Sequence, residues 1–405
     1  MIRPAFNRRL LPLLALALVG ACGSAAREPV AEARIERAAP YGIPGVVRTW
    51  GDSNDAADVA ALKTDLLARA ELMHADAIAS GAPLTETALA LSGGGAAGAF
   101  GAGLLAGWSE RGDRPEFDIV TGVSTGAIIA LFAFLGPDYD AQLREFYTQY
   151  STADLLEPTP FSAFTGGVAL SDTAAYQALI DLYVDQAILD SLAAEGGRGR
   201  VLLVGTTNLD ASRPVMWNLT AIAASGHPQA LQLIRDVIRA SSAIPAVFPP
   251  VVIPVQDADG RLYDEMHVDG GATQQVMLFS PELPVAQIDA AFGRSVDRTL
   301  YVVMNNTLDK PYAPVDLGVL DIAGKAVSSL IGGSGSGDLY QIYTIAQRDA
   351  VDFNVVWIPK SFDVVANEPF DPVYMRALYR LGQDVGRDGG GWFDRPPNFA
   401  PAKGG

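Results

Sequence analysis

The sequence has one cysteine, Cys22, and three histidines, His74, His227 and His267. A single thiol permits no disulfide within the chain and no zinc site built from cysteines. Three histidines leave a histidine-dependent catalytic triad few choices. Positive charge is scarce as well: 29 Lys and Arg stand against 46 Asp and Glu, a formal net charge of −17. Nucleic acid requires a basic footprint, so it is excluded as a partner. Attraction of a basic surface to anionic headgroups is excluded on the same ground. The apolar run "LLPLLALALVG" at 10–20 is too short to span a bilayer comfortably.

What is present is globular: 49% of the 405 residues are hydrophobic and 19% are charged. The first 22 residues stand apart. Arg3, Arg8 and Arg9 precede the apolar run, small residues follow it, and Cys22 ends the segment. This order reads as an export signal. Val19-Gly20-Ala21-Cys22 resembles a bacterial lipobox, which implies that Cys22 is lipidated and becomes the new N-terminus. The other reading is an ordinary cleaved signal followed by a chance cysteine. The expected location is the cell envelope, with a lipid anchor. Gly23 after the cysteine resembles outer-membrane sorting where the host has two membranes. Residues 23–50 are rich in Ala, Pro and charge and read as a tether. Residues 51–395 read as one domain, and 396–405 as a tail.

Within the domain a strand at 86–91 enters the glycine turn "SGGGAAGAFGAG" (92–103) and a helix to about residue 111. A second strand, "FDIVTG" (117–122), enters another tight turn and a helix of small and apolar residues. Strand, turn and helix twice in succession predict an α/β fold with a mostly parallel sheet covered on both faces. Further strands are expected at 201–207, 214–218, 251–255, 261–268 and 299–305. "DADG" (257–260) reads as a hairpin turn, and "GGSGSG" (332–337) as a flexible linker between two helices.

"GVSTG" (122–126) places a serine between glycines two residues away on either side, at a predicted strand-to-helix turn. Gly122 and Gly126 remove side chains that would clash in so sharp a turn, and Ser124 then points at a helix N-terminus. A nucleophilic serine needs a base. No histidine follows His267, so a triad would have to use His227 or His267 with an earlier acid. Asp269 is the alternative base. "DGG" (269–271) follows a strand taken as parallel, whose C-terminal end lies on the rim where α/β sites form, and Gly270 and Gly271 allow close backbone approach. The N–H groups of Gly93, Gly94 and Gly95 can converge on one point and form an oxyanion hole. Gly93, Gly95 and Gly98 also fit a dinucleotide fingerprint, but Asp118, the acid at the right separation, sits at the start of its strand rather than the end.

Three blocks in order, "SGGGAAGAFGAG" (92–103), "GVSTGA" (122–127) and "HVDGG" (267–271), resemble those of the patatin-like phospholipases, and "RASSAIPAVFPPV" (239–251) resembles the block that precedes the aspartate strand in that family. The resemblance covers about residues 86–305. It implies a three-layer α/β/α sandwich and hydrolysis of lipid acyl esters with no metal or organic cofactor. Ser124 would be the nucleophile, Asp269 the general base, and Gly93, Gly94 and Gly95 the oxyanion hole. The family's basic position in the glycine motif is Ala97 here, which shifts the expected substrates toward neutral esters. The implied partners are a lipid or acyl-ester substrate and, through Cys22, a membrane. Two other functions stay open: a non-catalytic lipid-binding envelope protein, and an esterase of soluble substrates with a histidine triad. "EPTPFSAFTGGVAL" (157–170) reads either as a flap or as a surface loop. Asp257 and Asp259 read as a turn rather than a calcium site, and Asp264 and Glu265 as a solvated strand edge.

Overall fold

Strand β3 (Thr85–Leu91) alternates its side chains between two apolar clusters. Leu89 and Leu91 enter the larger cluster on one face of the sheet, and Ala88 and Ala90 enter a second on the other. A strand buried on both faces belongs in the middle of a sheet. β3 accordingly lies between β4 (Ile119–Val123) and β11 (Asp297–Met304), parallel to both. β7 (Val201–Asn208) continues beyond β4, and β12 (Asp352–Trp357) beyond β11. These five strands are the parallel centre. The computed structural model describes residues 27–53, 55–158, 171–245, 247–278, 284–308, 314–315, 317–397 and 399. The segment read as an export signal, with Cys22, most of the stretch read as a flap, and the last residues of the tail lie outside the described residues.

Antiparallel strands complete the sheet on the β7 side. β8 (Arg213–Asn218) and β10 (Leu262–Asp269) both pair with β7; β9 (Val251–Gln256) and β1 (Ala39–Pro40) follow β10, and β2 (Arg48–Trp50) pairs with β8. β9 and β10 form the hairpin expected around 257–260. A separate ribbon pairs β5 (Glu157–Pro158) with β6 (Ser171–Asp172).

Helices cover both faces, giving three layers. α1 (Ala56–Met73), α6 (Val285–Phe292) and α7 (Val319–Arg348) lie on the Ala88 face. On the Leu89 face lie α2 (Ala99–Arg111), α3 (Thr125–Leu135), α4 (Asp140–Gln149), α5 (Ala230–Ser241) and α8 (Pro372–Arg387). α2 and α8 meet backbone to backbone. A Cβ on Gly103 or Gly107 would lie 2.0 Å from the carbonyl oxygen of Tyr379 or Gln383, and one on Gly382 or Gly386 would lie 2.1 or 2.2 Å from that of Phe100 or Leu104. Among the described residues no helix is long and apolar enough to cross a membrane.

The structure departs from the sequence reading in three places. Residues 27–50, read as a tether, belong to the domain: Val30, Ile35, Ile43 and Val47 are buried, and β1 and β2 join the sheet. The segment is rich in Ala, Pro and charge, yet Val30, Ile35, Ile43 and Val47 face the core. The "GGSGSG" run is not a linker but the middle of α7. Tertiary contact overrides its low helix propensity: Gly335 is buried and packs against Gln275, and Asp338 accepts the Gln275 N–H at 2.6 Å. Finally, β10, taken as a parallel strand, runs antiparallel to both of its neighbours.

Candidate active site

The site forms where two strands meet. β8 occupies one edge of β7 over residues 203–208. β4 and β10 must therefore share the other edge. β4 pairs with β7 up to Val123 opposite Gly205; β10 arrives from the opposite direction and ends with Asp269 opposite Thr206. The register brings Ser124 and Asp269 to the same level.

Ser124 has φ 57° and ψ −128°, a backbone conformation disfavoured for any residue with a Cβ. It sits between the end of β4 and the first residue of α3. The flanking glycines are steric requirements. A Cβ on Gly122 would lie 2.3 Å from the Gly126 carbonyl oxygen, and one on Gly126 would lie 2.4 Å from that of Leu91. The strained turn is fastened from below. The Ser124 N–H donates to Ser241 Oγ at 2.9 Å, and Ser241 Oγ donates to the Gly205 carbonyl at 2.7 Å.

Asp269 is 3% exposed. Its Oδ1 accepts the Gly271 N–H at 2.7 Å, and the Ser124 side chain lies beside the carboxylate. Burial pushes its pKa up to about 6, against the downward pull of Ser124 and of the Gly271 N–H. The carboxylate therefore remains ionised at neutral pH while being more basic than an ordinary aspartate.

The glycine turn lies beside the nucleophile: a Cβ on Gly93 would be 3.2 Å from Ser124 Cβ. Its three N–H groups are not equivalent. That of Gly93 donates to the Gln275 carbonyl at 2.9 Å, which corrects the expectation that it is free. Those of Gly94 and Gly95 meet no acceptor among the described residues. Gly95, at φ +55°, opens a short 3-10 turn that runs to Gly98 and buries Ala97. The first N–H groups of α3 beside Ser124 also lack an intrahelical acceptor, as at any helix start. Gly98 packs under the elbow, where a Cβ would meet Thr125 Oγ1 at 2.1 Å, and Gly270 packs on the Gly205 carbonyl.

The sequence reading missed Gln275. Its side chain is buried, and its amide lies between the two glycine turns. Oε1 is 2.7 Å from where a Cβ on Gly93 would stand, and Nε2 is 2.3 Å from the same position on Gly271. Oε1 has no donor among the described residues. A glutamine after a D-G-G turn carries no signal in sequence; only the fold brings it back to the site.

None of the histidines hydrogen-bonds Ser124. His267 is fully buried on β10, with Nδ1 3.0 Å from Thr206 Oγ1 and Nε2 3.2 Å from Glu265. His227 accepts the N–H of Gln229 in a turn. His74 packs against Phe292. Glu265, read as part of a solvated edge, has no exposed surface and is ion-paired with Arg48, Nη2 to Oε1 at 2.8 Å. Asp264 pairs with Arg27.

No curated protein sequence matches the chain. Among solved structures it is similar to VipD from Legionella pneumophila (14% identity, TM-score 0.35, covering 76% of this chain and 67% of that one). It is also similar to human GIVD cytosolic phospholipase A2 (12% identity, TM-score 0.32, covering 81% of this chain and 56% of that one). The family model "Patatin-like phospholipase" matches residues 89–280, the span that holds the glycine turn, the serine elbow and the D-G-G turn. Over those residues the chain is similar to the patatin-like phospholipase family.

Proposed function

We propose that the protein is a serine acyl hydrolase of lipid esters that works through a Ser124–Asp269 dyad. The observation that carries this reading is the Ser124 side chain beside the buried Asp269 carboxylate at a strained strand-to-helix turn. Asp269 takes the hydroxyl proton as Oγ attacks the ester carbonyl. The negative charge that develops on the carbonyl oxygen is met by the N–H groups of Gly94 and Gly95 and by the N-terminus of α3. Gly93 acts differently from its neighbours: it ties the turn to Gln275. The proton on Asp269 passes to the departing alcohol, and a water activated by the same carboxylate then frees the acyl group.

With Ala97 buried at the family's basic position, the reading favours neutral esters over phospholipids. Cys22 completes it as a lipid anchor that holds an acidic domain at a lipid surface. The test is hydrolysis of a p-nitrophenyl ester series by the mature domain, with Ser124→Ala and Asp269→Asn beside it. Turnover that both changes abolish supports the dyad. Turnover that survives Asp269→Asn removes it, and an inert wild type that still binds lipid vesicles replaces the enzyme with a lipid-binding protein.

A further inference from the structure

A cavity of about 440 Å³ lies on the α1 face of the sheet, away from Ser124. Leu62 and Leu66 of α1 roof it, Ile119 and Leu203 of the sheet floor it, Ile288 of α6 closes one side, and Met216 its inner end. Met216 packs against Met277 and against Val123, the residue before the nucleophile. Val59, Leu62, Leu66 and Met73 of α1 line this space and stay only half-buried. A helix packed directly on a sheet would bury that stripe, and protein interiors do not ordinarily leave a void of this size. Concave, mostly apolar spaces of this volume are ligand sites.

The charges around the cavity indicate the ligand's head. Arg48 is paired with Glu265, Arg69 with Asp65, Arg298 with Glu86, and Glu36 with Arg213, while Asp58 accepts the Ser53 hydroxyl. Arg37 alone among the charged lining residues has no partner among the described residues. It is exposed at the mouth, as is Val46, 59% exposed. The lining thus offers a long apolar interior and one uncompensated cation at the entrance. We propose that this cavity binds a single long-chain carboxylate, with its chain beneath α1 and its head at Arg37.

The test is a fluorescence titration of the full Ser124→Ala chain with cis-parinarate, so that turnover plays no part. Saturable binding at one site is expected, displaced by hexadecanoate and about tenfold less well by hexadecanol. Leu66→Trp fills the space and should weaken binding by about tenfold or more. Leu62→Phe, a smaller change, gives an intermediate loss, and thermal melting of each variant checks that it is folded. Arg37→Glu should weaken hexadecanoate and leave hexadecanol unchanged. Absent binding, or equal binding by folded Leu66→Trp, overturns the site. Displacement by hexadecanol as effective as by hexadecanoate overturns the carboxylate assignment.

Discussion

Ser124 and Asp269 stand at the meeting ends of two strands that share one edge of β7, Val123 opposite Gly205 and Asp269 opposite Thr206. Neither residue needs a long side chain to reach the other, because sheet register sets their separation. Ser124→Ala and Asp269→Asn should each lower kcat by about 10⁴-fold or more, with little added loss in the double variant. Steady-state kinetics on one chromogenic ester settles this. Additive losses would mean that the two act separately.

Ser241 is the support beneath the elbow. Ser241→Ala leaves the Ser124 N–H and the Gly205 carbonyl buried without their partner. The expected cost is about 1–3 kcal/mol of stability. A drop in kcat should accompany it with KM little changed, since the hydroxyl touches no part of a substrate. Urea denaturation and kinetics on the same preparation measure both. Ser241→Thr, which keeps the hydroxyl, should restore most of each.

The Asp269 pKa of about 6 fixes two pH dependences of opposite sign. Activity needs the carboxylate, so kcat/KM should rise with pH and level off above about 6. For stability, the folded state holds this proton more tightly than the unfolded state, whose carboxyl titrates near 3.8. Stability from this group is therefore full below that value and declines as pH rises through about 6. The shift corresponds to roughly 3 kcal/mol. Asp269→Asn should melt higher than wild type at pH 8, with the difference shrinking toward pH 4. A variant that melts lower at pH 8 would show that the carboxylate is not strained by its burial.

The Ser124 backbone gives a separate stability prediction. A residue with a Cβ at φ 57° and ψ −128° carries strain of about 1–3 kcal/mol. Ser124→Gly should exceed Ser124→Ala in stability by about 1 kcal/mol, after the greater chain entropy of glycine is allowed for. Both variants lack the nucleophile, so calorimetry on the pair isolates the backbone.

Glu265 behaves oppositely to Asp269. Burial pushes its pKa up, but hydrogen bonds from Arg48 and His267 prevail and hold it at about 2. Its contribution to stability is present above the ordinary value of 4.5 and is lost as pH falls through about 2. Arg48→Ala strands the carboxylate in the interior, at a cost of about 3–5 kcal/mol at pH 7. The same change to Met, measured with Glu265→Gln in one chain, should recover much of that loss.

What was legible in the sequence was local. The elbow could be read because its glycines answer to clashes within five residues, and the D-G-G turn because it follows a strand. Four strands of the parallel centre, β3, β4, β7 and β11, announced themselves through continuous apolar runs, and β12 was not among those expected. What was not legible depended on distant partners. The direction of β10 is set by its hairpin with β9 and its pairing with β7. The helical state of Gly332–Gly337 depends on packing against Gln275. The commitment of the Gly93 N–H, and the place of Gln275 itself, arise from a contact across much of the chain. Residues 27–50 looked like a tether because they are rich in Ala, Pro and charge, and only the fold shows that Val30, Ile35, Ile43 and Val47 face inward.

The contact between α2 and α8 bears on how the chain is assembled. The glycines of α2 wait for a helix made much later in synthesis; Gln383 bonds to Glu110 across 273 residues. Until α8 emerges, the closest helix pair on the Leu89 face has only one member, and β3 likewise waits for β11. Such long closures make folding slow and late. They also mean that a polypeptide stopped before Pro372 is not a shorter version of this protein but an unfinished one, with the serine elbow present in the chain and no completed wall behind it.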